Sequence, residues 1–491
     1  MRVALVAALL PLLGACTLGP NYRRPELETP VGWRDQGPGP RIEEQPGPES
    51  LANIPWWNLF RDPKLQDLIR IALEENQDLM VAVERIVEAR ARVGFVRADL
   101  LPRVDLRTDW SRFEQSRESF PNNPAPGDNN SNLYGLSLDM TWELDVFGRI
   151  RRATEAEKAL LLATEEARRA VAISLVAAVA TAYVELRDAD LRLEIARRTL
   201  EIRAESYDLA RVRFEGGLTS EKDPNQAQAE YRRVEVTVFQ LEQLVRQKEN
   251  ELSVLIGRGP RRIARGARLP DLPVALEVPA GLPSELLDRR PDLRAAEEQL
   301  HAATADVGAA KALLFPRFAL TAGYGTASTE LDAVFTGSSQ AWSVASGLVQ
   351  PIFNAGKNLR RVDIAESQMR QALHSYEKAV IQALREVEDS LIAWEKTGQQ
   401  RASQSIRVQA ERKVVQLATV RYEGGVTDYL EVLDAQRNLF SAELDEVVAI
   451  REQMNSLILL YKSLGGGWPA EPEMVASSTV VAAPEGAATA P

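Results

Sequence analysis

At 491 residues, with 45% hydrophobic and 26% charged side chains but only 6% aromatic, the chain can bury a large core and leans towards long helices rather than a compact enzyme. A formal net charge of −11 argues against a nucleic-acid partner, which needs a basic face. With one Cys and two His, His301 and His374, far apart in sequence, one chain cannot assemble a thiolate or imidazole zinc cluster.

Residues 1–15 carry one Arg and an apolar run from Val3 to Leu13, too short to span a bilayer, which predicts an export signal. Leu13-Gly14-Ala15-Cys16 fits a lipobox, so cleavage before Cys16 and acylation of its thiol are expected. The competing reading is an ordinary signal peptide with an incidental Cys. Thr17 stands where Asp would retain a lipoprotein in the inner membrane, which favours delivery to the outer membrane. Residues 16–61, rich in Pro, Gly and Glu, read as a lipidated, extended arm.

A first repeat is expected over 62–256. Asp62-Pro63 predicts the capped start of a helix that runs to Leu101 and stops at Pro102. From Arg103 the period changes to two. Val104, Leu106, Thr108 and Trp110 predict one strand, and Tyr134, Leu136, Leu138, Met140 and Trp142 a second, joined by a Pro/Asn/Gly loop over 116–130. After Gly148 neither Pro nor Gly occurs until Gly216, which predicts a helix of roughly 100 Å. Its apolar ladder of Val179, Leu186, Leu193, Leu200, Tyr207 and Phe214 steps by seven, the mark of coiled-coil packing. A shorter helix returns to about Ile256, and 257–283, rich in Pro, Gly and Arg, reads as a linker.

A second repeat follows over 284–464. Arg213-Phe214-Glu215-Gly216-Gly217-Leu218-Thr219 is nearly copied in Arg421-Tyr422-Glu423-Gly424-Gly425-Val426-Thr427, at an offset of 208 that also pairs Ala227-Gln228 with Ala435-Gln436. The order recurs: a short helix ending before Pro316, a strand through Phe318, Leu320, Ala322 and Tyr324, and a strand through Trp342, Val344 and Leu348. A long helix over 356–422 and a returning helix over 427–464 complete it. Residues 465–491 form a C-terminal segment and a tail expected to be disordered.

Four amphipathic strands cannot close a membrane barrel, which needs about eight. Three copies would supply twelve strands without a free edge, so the expected fold is an α+β membrane protein: a trimeric 12-stranded transmembrane β-barrel continued by a long periplasmic α-helical barrel.

Cys16-Thr17-Leu18-Gly19-Pro20-Asn21-Tyr22, the Trp56-Trp57 to Asp62-Pro63 segment, the paired Gly-Gly turns, Leu433-Asp434-Ala435-Gln436-Arg437 and Leu464-Gly465-Gly466-Gly467-Trp468 together resemble the TolC-like outer-membrane factors of bacterial tripartite efflux systems, in the lipoprotein branch that includes OprM. The resemblance spans residues 12–468. It implies a homotrimeric, passive exit duct lipid-anchored in the bacterial outer membrane, linked to antibiotic resistance. Its partners would be a periplasmic adaptor (membrane fusion) protein and an inner-membrane transporter of the resistance-nodulation-division class. It implies a covalent lipid, such as palmitate, on Cys16 and no other cofactor.

It further implies a periplasmic aperture narrowed by a Leu ring and an Asp ring, matched here by Leu430 and Asp434, with Arg437 three residues on and within helical reach. The first copy has Lys222 and Gln226 at those positions, so only the second hairpin supplies the acid. The turns at Gly216, Gly217, Leu218 and Thr219 and at Gly424, Gly425, Val426 and Thr427 match adaptor-docking tips; plain helix caps are the simpler alternative. The duct of a type I protein secretion system is the runner-up function. An enzyme is not expected: no Ser/His/Asp set, phosphate-binding loop or paired-carboxylate pocket stands out. A coiled-coil scaffold would not need alternating strands with Trp and Tyr at their ends.

Overall fold

The computed structural model describes residues 17–30, 32–33, 61–114, 130–272 and 286–466. The export signal, Cys16, most of the arm with Trp56-Trp57, the loop between the first two strands, residues 273–283 and the tail beyond Gly466 lie outside them. The chain divides into two compact units. One is Met1–Leu27, Ala82–Ala167 and Arg294–Ala379; the other is Glu28–Val81, Arg168–Leu293 and Val380–Pro491.

The first unit holds one sheet. Strands β1 (Arg103–Glu114), β2 (Asn130–Leu144), β3 (Arg317–Ser328) and β4 (Gln340–Val349) lie in the order β1-β2-β3-β4, every pair antiparallel. The register keeps the sequence alternation in phase across all four strands. Val104, Met140, Ala322 and Val344 form one row and Leu106, Leu138, Tyr324 and Trp342 another, on one face. Asp105, Asp139, Gly323 and Ser343 line up on the opposite face. A shift of one residue in any strand would scramble both faces, so the alternation itself fixes the pairing. Within one chain Trp110, Trp342 and Val344 are 65%, 77% and 72% exposed, and among the described residues β1 and β4 each pair on one side only.

The same unit holds the start of the ordered N-terminal arm. The Leu18 N–H donates to the Phe147 carbonyl at 3.3 Å, and buried Arg152 donates to the Leu18 carbonyl at 3.0 Å and to Asn21 Oδ1 at 2.7 Å. Gly19 passes so close to Gly308 that a Cβ there would lie 2.4 Å from the Gly308 Cα. Tyr22 donates to Glu297 at 3.0 Å and stacks on His301 with ring centroids 4.8 Å apart.

The expected helix over 63–101 is two helices. Helix α1 (Pro63–Glu75) is capped by Asp62, whose Oδ1 accepts from the Lys64 and Leu65 N–H groups, and α2 runs from Gln77 to Ala98. Between them Asn76 leaves the helical conformation, with ψ 127°. Its Oδ1 accepts from the Leu79 N–H at 3.0 Å and its Nδ2 donates to the Leu255 carbonyl at 2.8 Å, so one side chain caps a new helix and ties it to the first hairpin. An Asn in a helical stripe hides this break, because its second partner is 179 residues away.

Helices α3 (Arg149–Glu215) and α4 (Lys222–Leu255) form the first hairpin. Helices α5 (Leu286–Arg289) and α6 (Pro291–Ala312) follow, and α7 (Lys357–Glu423) and α8 (Tyr429–Ser463) form the second hairpin. Both long helices have 67 residues, and the offset of 208 relates them at both ends, from 149 to 357 and from 215 to 423. Of the predicted ladder Val179 and Leu186 are buried and Leu193, Leu200 and Tyr207 half-buried, and at the offset of 208 Val387 and Val408 are buried as well. Arg401, which the same offset pairs with Leu193, donates to Gln453 Oε1 on α8 at 2.9 Å.

Residues 257–272 of the expected linker are packed structure instead. Leu269 and Ile263 are buried, and Arg265 pairs with Asp190 at 3.1 Å and with Glu249. The Ala267 N–H and the Tyr183 hydroxyl both donate to Asp62 Oδ2, at 2.8 and 3.1 Å. Burial and the neighbouring Asp62 carboxylate push the Tyr183 phenol up to about 12. One arginine of this Arg-rich stretch, Arg265, supplies both ion pairs.

Candidate functional site

The site predicted from sequence is the turn of each hairpin and the first turns of the returning helix, all within the second unit. Both turns close in the same way. Gly217 and Gly425 have φ of +69° and +71°, a conformation glycine reaches without Cβ strain. The Leu218 N–H reaches the Arg213 carbonyl at 2.9 Å and the Gly217 N–H the Phe214 carbonyl at 2.9 Å. Val426 to Arg421 and Gly425 to Tyr422 repeat the pair at 2.9 and 3.0 Å. This is the helix-ending motif with six-to-one and five-to-two bonds, which satisfies the last carbonyls of each long helix.

The cap alone leaves one feature without a role. In that motif the residue after the glycine normally packs back on the helix, yet Leu218 and Val426 are 78% and 69% exposed. One and two turns upstream, Val212 and Val420, and Leu209 and Leu417, are further exposed pairs at the same offset of 208. Both hairpins thus end in matching apolar patches. The sequence reading missed the upstream residues, although the duplication carries their signal. Thr427 differs from Thr219: its hydroxyl donates to Glu431.

On α8, Val432, Leu433 and Ala435 are buried, whereas Leu430, Asp434 and Arg437 are exposed on the other face. The three predicted aperture residues therefore share one surface, as spacings of four and three require. Arg437 donates to Asp434 Oδ1 at 3.3 Å and to Glu230 Oε1 of α4 at 2.6 Å. Its bond to Glu230 raises the guanidinium pKa further, against some loss to burial.

Two more contacts join the hairpins and were invisible in sequence, because their partners lie more than 200 residues apart. Arg213 donates to the Tyr422 hydroxyl at 2.5 Å with its guanidinium carbon 5.0 Å from the ring centroid, and Tyr422 packs on Tyr429 at 5.2 Å. Arg203, buried in α3, donates to Gln436 Oε1, and its burial lowers its pKa. The face of α8 that carries Leu430, Asp434 and Arg437 thus presents apolar bulk and both signs of charge side by side.

The family profile described as outer membrane efflux protein matches residues 68–258 and 282–466, one stretch for each repeat. The chain is similar to the antibiotic efflux pump outer membrane protein ArpC of Pseudomonas putida, 37% identical over 479 residues that cover 97% of both chains. It is equally similar to the toluene efflux pump outer membrane protein TtgC of the same species, with the same identity and coverage. Among solved structures it superposes on the outer-membrane channel OprN with a TM-score of 0.82 and 35% identity, covering 92% of this chain and 100% of that one. The duplicated hairpins, the four-stranded sheet with its apolar face and these matches together make the chain a member of the outer membrane efflux protein family.

Proposed function

We propose that three copies of this outer-membrane efflux channel close their sheets into one twelve-stranded barrel and their long helices into a periplasmic tube. The observation that carries this reading is the sheet: among the described residues, four strands with two unpaired edges and one exposed apolar face in strict register. Four strands are too few for a membrane barrel, and open edges are not tolerated in lipid. Copies of the same chain satisfy both demands by symmetry.

The tube is a passive duct that receives cargo from a periplasmic adaptor and an inner-membrane transporter of the resistance-nodulation-division class. The adaptor docks on the turns at Gly216–Thr219 and Gly424–Thr427, a role supported by the exposed Leu218 and Val426. Leu430 and Asp434 narrow the periplasmic aperture, and Arg437 holds that helix to its neighbour. Cys16 carries the lipid anchor, and the strap formed by Leu18, Gly19 and Tyr22 begins two residues beyond it. Relatives named for antibiotic and toluene efflux make those two classes the cargo to test, ahead of secreted protein.

The deciding experiment is complementation of a strain lacking its own outer-membrane efflux channels. The wild-type chain should restore antibiotic and toluene tolerance and co-purify with an adaptor as a detergent-resistant trimer. A monomer, or a trimer that restores no export, defeats the proposal. Loss of lipid labelling in Cys16→Ala tests the anchor separately.

A further inference from the structure

Helices α3, α7 and α8 line an open cavity of about 330 Å³ in the second unit. Its charged lining is unbalanced: Arg198, Arg203 and Arg412 face one carboxylate, Glu443. That carboxylate is shared, with Arg198 at 2.8 Å and Arg412 at 3.0 Å. Arg203 is 2% exposed, its only polar partner among the described residues is the neutral Gln436, and its Nε has no acceptor. Glu230 also acts on Arg203 through its charge, but Arg437 and Arg233 already engage it at 2.6 and 3.4 Å. A buried guanidinium donor without an acceptor costs on the order of 1–3 kcal/mol, a cost that an anion in the cavity would relieve.

The duplication supplies an internal control. At the offset of 208, Ile406 matches Arg198, Glu411 matches Arg203 and Ala204 matches Arg412. None of the three cations has a basic counterpart in the other copy, so they are not a by-product of the repeat. Leu439 and Phe440 give the cavity an apolar wall.

We propose that this cavity binds a small oxyanion of the phosphate or carboxylate type, with Arg203 and Arg412 as its principal donors. The planar guanidinium fork matches two oxygens of either group, and the surplus of two positive charges over Glu443 is neutralised by a dianion. The site does not depend on the channel reading, since it is built within one chain.

The test uses the full-length protein purified in detergent, with inorganic phosphate and then acetate replacing chloride at constant ionic strength. The melting temperature should rise with phosphate and saturate at millimolar concentration, as stabilisation by a bound ligand does. Arg412 is 58% exposed, so Arg412→Gln should fold normally. It should raise the half-saturating phosphate concentration by about tenfold, the effect of losing one charged hydrogen-bond donor. Arg203→Met should abolish the response, and broadening of the phosphate ³¹P resonance by wild type but not by Arg412→Gln gives a second readout. No rise, or a non-saturating rise equal in wild type and Arg412→Gln, overturns the proposal. So does an Arg412→Gln protein that melts far lower without phosphate while wild type ignores phosphate, because a protein carboxylate then fills the site.

Discussion

Arg437 of the second hairpin reaches Glu230 of the first at 2.6 Å while also holding Asp434 of its own helix at 3.3 Å. Glu230 is 9% exposed, so removing Arg437 leaves its carboxylate buried with only the longer contact to Arg233. Arg437→Ala and Glu230→Gln should both loosen α8 and raise single-channel conductance in planar bilayers. Asp434→Ala should instead weaken block by divalent cations, with a conductance change of roughly twofold. Unchanged currents in all three variants would place the constriction elsewhere.

The matched apolar tips separate docking from folding. Leu218→Glu combined with Val426→Glu should leave trimer yield and melting unchanged, since both side chains are exposed in the chain. Capture of the adaptor should fall by about tenfold or more, the loss expected for a charge placed in an apolar contact. Antibiotic susceptibility should rise in step, and full efflux by this variant would refute docking at the tips.

Glycines in the same turn motif differ in what surrounds them. A Cβ on Gly425 meets nothing within 4 Å, whereas one on Gly257, with φ +75°, would lie 2.1 Å from the Glu75 carbonyl oxygen. Gly425→Ala should cost about 1 kcal/mol, the strain of a left-handed backbone alone. Gly257→Ala adds a clash with backbone and should cost about 2–4 kcal/mol, visible as a lower thermal midpoint.

Asp188 is 2% exposed and lies 3.6 Å from Arg192 and 3.7 Å from Arg451. Burial raises its pKa above the usual aspartate value of 3.8, and the two arginines recover only part of the shift. The native state therefore holds this proton more tightly than the unfolded chain. Its contribution to stability is present at low pH and is lost as pH rises through the raised value. Asp188→Asn should flatten the dependence of the melting temperature on pH in the acid range and should not lower it at pH 7. An unchanged pH profile would exclude Asp188 as a titrating group.

Much of the architecture could be read in sequence because it rests on local signals. Glycine marks the ends of both 67-residue helices, and alternation from Tyr134 to Trp142 sets the face and register of β2. That Leu430, Asp434 and Arg437 share one exposed face of α8 was legible too, from helical spacing. Hidden were the features made by distant partners: the break at Asn76, the packing of Leu269, and the contacts of Arg437 with Glu230 and Arg213 with Tyr422. A 3.6-residue period places a side chain on a helix face, but only the fold says which face it meets.

The two unpaired sheet edges also bear on genetics. If a pore needs every edge closed by a sound neighbour, a copy with a damaged β1 or β4 harms its partners as well as itself. In a cell making equal amounts of sound and damaged chains that still associate, random assembly in threes leaves only about one pore in eight wholly sound. Alleles altered along Val104–Trp110 or Trp342–Leu348 should therefore behave as dominant, whereas alleles that prevent export of the chain should be recessive.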